Sequence, residues 1–226
     1  MSAPIPRLSV PDHVFARLRE GILAGDYRPG ERLPPQRALA AEFEVNMASV
    51  REALKRLEQL RLVEVRHGDA TRVLDWRRSG GLEALVLNAG AEDSLMRDLF
   101  EARRLLLVEA AGLAAQRRTD EQARSLLDLA RAVAIAEDDA TALHADWSFM
   151  ATLVESAGNL VFQLILNSVR ELYLPHADAF TALLADRPRL AGLYVRAAEA
   201  VGARDAHAAA AAIDELAAMQ GAWMLA

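Results

Sequence analysis

Apolar residues recur along the first sixty positions at the spacing of one helix face, and then briefly at the spacing of a strand. Val14, Leu18, Ile22 and Leu23 mark a helix that starts at Ser9-Val10-Pro11 and stops at Gly25. Serine can cap that start and proline suits the first turn. Pro29, Gly30, Pro34 and Pro35 then break the chain before a short helix from Gln36 to Phe43, with Leu39 and Phe43 on one face. A third helix is predicted from near Asn46, turning Val50, Ala53, Leu54, Leu57 and Leu60 inward. Leu62-Val63-Glu64-Val65-Arg66 alternates with period two, His67-Gly68-Asp69 offers a turn, and Thr71-Arg72-Val73-Leu74 returns, which predicts a β-hairpin.

Beyond the stretch Trp76-Arg77-Arg78-Ser79-Gly80-Gly81 the pattern changes to long alanine- and leucine-rich runs with helical periodicity and no strand-like alternation. Helices are expected near 82–89, 93–117, 120–136, 139–157, 159–184 with a kink at Pro175, 187–202 and 205–224. The predicted fold class is therefore mainly α. An N-terminal arm (1–9) leads into a winged helix-turn-helix (10–74), and a linker (75–81) leads into an antiparallel bundle of about seven helices (82–226).

Charge sharpens this division. The whole chain of 226 residues carries a net charge of -6, yet residues 1–78 hold 14 Lys+Arg against 11 Asp+Glu, and residues 79–226 hold 12 against 21. A basic front (+3) and an acidic back (-9) suggest different partners, with the front facing a polyanion. The chain has no cysteine, which excludes disulfides and thiolate chemistry and fits a reducing, cytoplasmic location. No run of about 20 uncharged apolar residues is present, so a membrane role is not expected.

In a helix-turn-helix the third helix enters the major groove with its first residues at base edges and phosphates. Arg37 opens helix two, Asn46 and Ser49 can hydrogen-bond at the start of helix three, Arg51 can grip phosphate or guanine, and Lys55 and Arg56 follow one turn on. His67 and Gly68 sit at the wing tip between Arg66 and Arg72. The Gly25-to-Gly30 spacing imitates a phosphate loop, but Glu31-Arg32 follow where such a loop needs Lys and Ser/Thr. A turn between helices explains it better.

The G-x-x-x-PG-x-x-LP stretch, the VREAL-x-x-L core and the wing glycine resemble the winged helix-turn-helix of GntR-family bacterial transcription regulators over roughly residues 10–74. By that resemblance Arg37, Asn46, Met47, Ser49, Arg51, His67 and Gly68 occupy DNA-contact positions, the partner is double-stranded operator DNA, and the active form is a homodimer. Asn46-Met47 departs from the Ser/Thr-then-Arg usual in the family, and methionine cannot neutralise a phosphate.

The stretches FEARRLLLVEAAGLAAQR (100–118) and HADWSFMATLVESAGN (144–159) and the last two helices resemble the ligand-binding FCD bundle of the FadR-type branch. Many relatives hold a divalent metal there with one aspartate and three histidines. Asp146 keeps the acidic position, whereas Met150, Tyr194 and Leu216 stand where the histidines are placed, and His144, His176 and His207 have no spacing that restores the set. No metal and no other cofactor is expected. SAGNLVFQLILNSVRELY (156–173) and the near-terminal Trp223 are similar to the fatty-acid-responsive members of that branch, which implies a long-chain acyl-CoA as effector. The residues expected to bind it are Arg103, Asp146, Met150, Phe162, Tyr173, Tyr194, Met219 and Trp223, beside Trp147 and Leu166. The same aromatics could equally be ordinary bundle core. A small organic acid held by Arg103 and Asn159 is the alternative effector, ahead of a metal-dependent sensor. No nucleophile elbow, HExxH helix or phosphate loop supports an enzyme.

Overall fold

A computed structural model describes residues 9–65, 70–83, 93–173 and 180–225. Contacts divide the chain into two compact units, Met1–Ala91 and Glu92–Ala226, each with its own interior. That division falls about ten residues beyond the linker expected from the sequence. The wing tip with His67 and Gly68, most of the helix expected at 82–89, and the kink at Pro175 lie outside the described residues.

The first unit begins with α1 (Val10–Ala24). Ser9 caps it, accepting from the Asp12 amide, while Asp12 reaches back to the Ser9 amide, so two orphan donors of the first turn are satisfied together. Gly25 ends the helix at φ +86°, a left-handed conformation that glycine adopts without steric cost. α2 (Gln36–Glu42) and α3 (Met47–Gln59) follow. Leu18, Leu39, Val50, Ala53 and Leu57 are fully enclosed where the three helices meet.

β1 (Val63–Glu64) and β2 (Arg72–Val73) pair antiparallel with Val63 opposite Val73. The regular strands are shorter than the alternation suggested. Residues 30–33 flank β2: the Gly30 and Leu33 amides donate to the Val73 and Thr71 carbonyls, and the Val73 amide donates to the Glu31 carbonyl. The proline- and glycine-rich connection is thereby tied to the wing. One element the sequence did not suggest is α4 (Trp76–Ser79), capped by Asp75, with Trp76 packed against this unit's core.

The second unit contains α5 (Asp93–Arg117), α6 (Asp120–Ile135), α7 (Asp139–Ser156), α8 (Leu160–Tyr173), α9 (Arg187–Gly202) and α10 (Ala206–Met224). Thr119, Asp138, Asp186 and Asp205 each cap the helix that follows them, a device worth about 1 kcal/mol apiece. α5 packs along α10, α9 packs on α6 and α10, and α7 packs on α5 and α6. Alanines let the first pair approach closely: Ala110, Ala111, Ala114 and Ala115 of α5 and Ala209 of α10 are all fully enclosed. α8 rests on α7 and leaves Leu160, Val161 and Leu164 exposed. Among the described residues no helix is long and apolar enough to cross a membrane.

Candidate nucleic-acid interface and buried polar centre

The helix-turn-helix exposes one face of α3. Ala48, Arg51, Glu52 and Lys55 are solvent-facing at i, i+3, i+4 and i+7, opposite the buried Val50, Ala53, Leu54 and Leu57. Arg37 at the start of α2 is exposed too, and among the described residues no ion pair holds Arg37, Arg51 or Lys55. These three cations are therefore available to phosphates or base edges.

Other residues expected at DNA have internal duties. Asn46 is the N-cap of α3, its Oδ1 accepting from the Ser49 amide at 2.9 Å. Ser49 is buried, 6 % exposed, and its hydroxyl donates back to Asn46 Oδ1. Asn46 itself is exposed and keeps its amide nitrogen for a partner, whereas Ser49 is turned into the domain. Met47 is half-buried and packs against the three-helix core. Met47→Ala is expected to lower the stability of this domain by about 1 to 2 kcal/mol, below the cost at a fully buried site. Met47→Arg should leave the salt dependence of DNA binding unchanged, and a steeper slope would place residue 47 at the phosphates.

Arg56 requires a correction. The sequence groups it with Lys55 as a DNA contact, but its Nη1 lies 2.5 Å from Asp12 and its guanidinium 4.2 Å from the centre of the Phe15 ring. It ties α3 to α1. Hydrogen bonds from Ser9 and then from Arg56 hold the Asp12 carboxyl at about 2, below its usual 3.8. A depressed carboxylate pKa stabilises the folded state above the unfolded value and is lost as protons return. The first unit should therefore lose stability between about pH 4 and pH 2, and Asp12→Asn should flatten that segment of its pH–stability curve, measured by circular dichroism.

The second unit holds a polar centre to which five helices contribute. Asp146 of α7 is 1 % exposed and accepts three hydrogen bonds. They come from the Tyr173 hydroxyl of α8 at 2.9 Å, the Tyr194 hydroxyl of α9, and Nε2 of Gln220 of α10 at 3.3 Å. Gln220 Nε2 also meets the Tyr194 hydroxyl at 2.9 Å, while its Oε1 accepts from Nη2 of Arg103 of α5 at 2.9 Å. The amide thus joins the buried carboxylate to a guanidinium. Burial first, and then the Asp146 charge, push both phenols above their ordinary range, so they are hydrogen-bond donors at neutral pH. Aromatic contacts hold them in place: Tyr173 lies between Trp147 at 5.2 Å and Phe180 at 5.0 Å, and Phe149 meets Tyr194 edge-on at 5.1 Å.

Arg103 Nη1 is buried and has no hydrogen-bond partner. An unsatisfied buried donor costs about 1 to 3 kcal/mol, and an acceptor brought by a ligand would remove that cost. Of the other residues expected to bind an effector, Met150 is buried one turn beyond Asp146. Trp223 stands one turn beyond Gln220 and Met219 beside it, both half-buried. Phe162, Leu166 and Tyr173 fall on one stripe of α8, spanning about 16 Å at 1.5 Å per residue.

Gln220 is the residue sequence reasoning missed. Leu216, one turn earlier, was placed at the metal position and is fully buried. The hint was available, because Gln220 is the one polar side chain in Ala217-Ala218-Met219-Gln220-Gly221-Ala222-Trp223. A lone amide in an otherwise apolar run is usually buried against a partner.

The donor set does not fit a divalent metal. It offers one carboxylate, two protonated phenols and a carboxamide, and among the described residues no group of three or more His, Cys, Asp or Glu comes together.

Comparison with known proteins bears on both units. The profile of the family described as bacterial regulatory proteins, gntR family, matches residues 11–73, and that of the FCD domain matches residues 98–218. The chain is 37 % identical to the HTH-type transcriptional regulator Mce2R of Mycobacterium tuberculosis, over 94 % of this chain and 90 % of that protein. Among solved structures, Lar of Listeria monocytogenes is similar with a TM-score of 0.63 at 17 % identity, covering 98 % of each chain. A Streptococcus agalactiae GntR gives 0.53 at 24 %, covering 94 % of this chain and 99 % of the other. At those identities the two structures speak for the fold.

Proposed function

The chain belongs to the gntR family of bacterial regulatory proteins and carries an FCD domain, which makes it a transcription regulator and not an enzyme. From that premise we propose that it acts as a cytoplasmic homodimer on a pseudo-palindromic operator, with Arg37, Arg51 and Lys55 at the DNA, and that an effector at the Arg103–Asp146 centre changes its grip. The observation that carries the DNA reading is the exposed, unpaired cationic face of α3. Two-fold symmetry in the protein calls for two-fold symmetry in the site. Footprinting the DNA upstream of its own gene should show two half-sites one helical turn, or a multiple of it, apart. A single half-site protected by a monomer would contradict the dimer.

The effector we favour is a long-chain acyl-CoA. Its thioester carbonyl would supply the acceptor that Arg103 Nη1 lacks, and the half-buried Phe162 and Leu166, on one stripe with the buried Tyr173, suit an acyl chain. A small organic acid is the second reading. It draws support from the net charge of -9 over residues 79–226, which repels the phosphates of coenzyme A and admits a single carboxylate more readily. Ligand binding must favour one arrangement of the DNA-binding units over another, and can shift the equilibrium only by its difference in affinity for the two. Arg103→Ala should weaken the effector response by about 1.5 to 3 kcal/mol, the range for hydrogen bonds to a charged group. Operator affinity without effector should be retained, as gel-shift titration would show.

A further inference from the structure

We infer that the position of the metal in FCD relatives is filled here by a protein-built cage, in which Tyr173, Tyr194 and Gln220 satisfy Asp146 and Gln220 joins it to Arg103, so that the effector domain works without a metal ion. The inference rests on placing the effector at this centre and goes further by assigning what replaces the metal.

A divalent metal at an aspartate needs additional lone-pair donors from the surrounding helices. Each of the three nearest groups instead points a hydrogen at Asp146: two hydroxyls and the nitrogen end of a carboxamide. The orientation of Gln220 is fixed from both sides. Its oxygen accepts from Arg103 at 2.9 Å, which leaves its nitrogen for Asp146 and the Tyr194 hydroxyl. Turning the amide round would set the nitrogen against a guanidinium that can only donate. Arg103 also supplies one positive charge against the one negative charge of Asp146, so the centre is close to neutral without an ion. Each helix that could bring a ligand brings a hydrogen-bond donor, and the arginine occupies the electrostatic role that a cation would have.

The test uses the full chain purified without a histidine tag. Elemental analysis should find no stoichiometric zinc, nickel, manganese or iron, and neither zinc nor a chelator should shift its thermal midpoint. One metal ion per chain, or a midpoint lowered by chelator, would overturn the inference. The variant carrying Met150→His, Tyr194→His and Leu216→His restores ligands at the three positions where the family places histidines and should take up zinc. Its midpoint should rise by roughly 5 to 10 °C at zinc about 100-fold above the dissociation constant. If that variant is folded by circular dichroism and ignores zinc, the cage around Asp146 does not hold the metal's place. Operator release by palmitoyl-CoA, repeated in chelator, separates the two claims. Release that persists in chelator supports the inference, and release abolished by chelator overturns it. No release with or without chelator removes acyl-CoA as effector, and the elemental analysis and the zinc response of the thermal midpoint then decide the inference.

Discussion

Asp146→Ala is expected to destabilise the helical unit by about 3 to 5 kcal/mol, the cost of removing one member of a buried charged network. The substitution leaves the Tyr173 and Tyr194 hydroxyls and the Gln220 amide without their common acceptor, and it leaves Arg103 without a counter-charge. Asp146→Asn retains a carbonyl oxygen for some of these donors and should cost less, about 1 to 3 kcal/mol. Urea unfolding followed through Trp147, which stacks on Tyr173, reports the transition. If alanine and asparagine were equally mild, Asp146 would not be the hub of the network.

Arg51→Ala should weaken operator binding more than any other single truncation on the exposed face of α3. A base-reading arginine is worth about 1 to 3 kcal/mol per half-site. In a homodimer the change is made in both half-sites, and distant sites add, so the loss becomes about 2 to 6 kcal/mol, from about 30-fold to over 10,000-fold. Lys55→Ala should cost less and affect all sequences alike, with a shallower dependence of binding on salt. A competition assay between operator and unrelated DNA separates the two effects. Equal losses on both DNAs for Arg51→Ala would make it a phosphate contact.

The DNA-binding unit was legible from the sequence because local chemistry decides its boundaries. Ser9 and Asp12 start α1, Gly25 stops it, and Asn46 caps α3, all through contacts within four residues. Which polar residues of α3 face outward was less legible. Lys55 and Arg56 are adjacent cations, and only packing shows that the second belongs to Asp12 and the ring of Phe15 on α1. The burial of Ser49 and the half-burial of Met47 were illegible for the same reason, since both are set by what lies beneath the helix. In the bundle, Asp146, Tyr173, Tyr194 and Arg103 could be nominated from the sequence. Their assembly through Gln220 could not, because it depends on contacts that span up to 117 residues of chain.

The most direct test of the central claim is a fluorescence-anisotropy titration of the upstream operator with the full chain, repeated with increasing palmitoyl-CoA, for the natural sequence and for Arg103→Ala. The natural sequence should bind the operator and release it as palmitoyl-CoA rises, and Arg103→Ala should bind equally well but release only at higher effector concentrations. Operator binding that ignores palmitoyl-CoA, or release that is identical in the two proteins, would contradict an effector site at the Arg103–Asp146 centre.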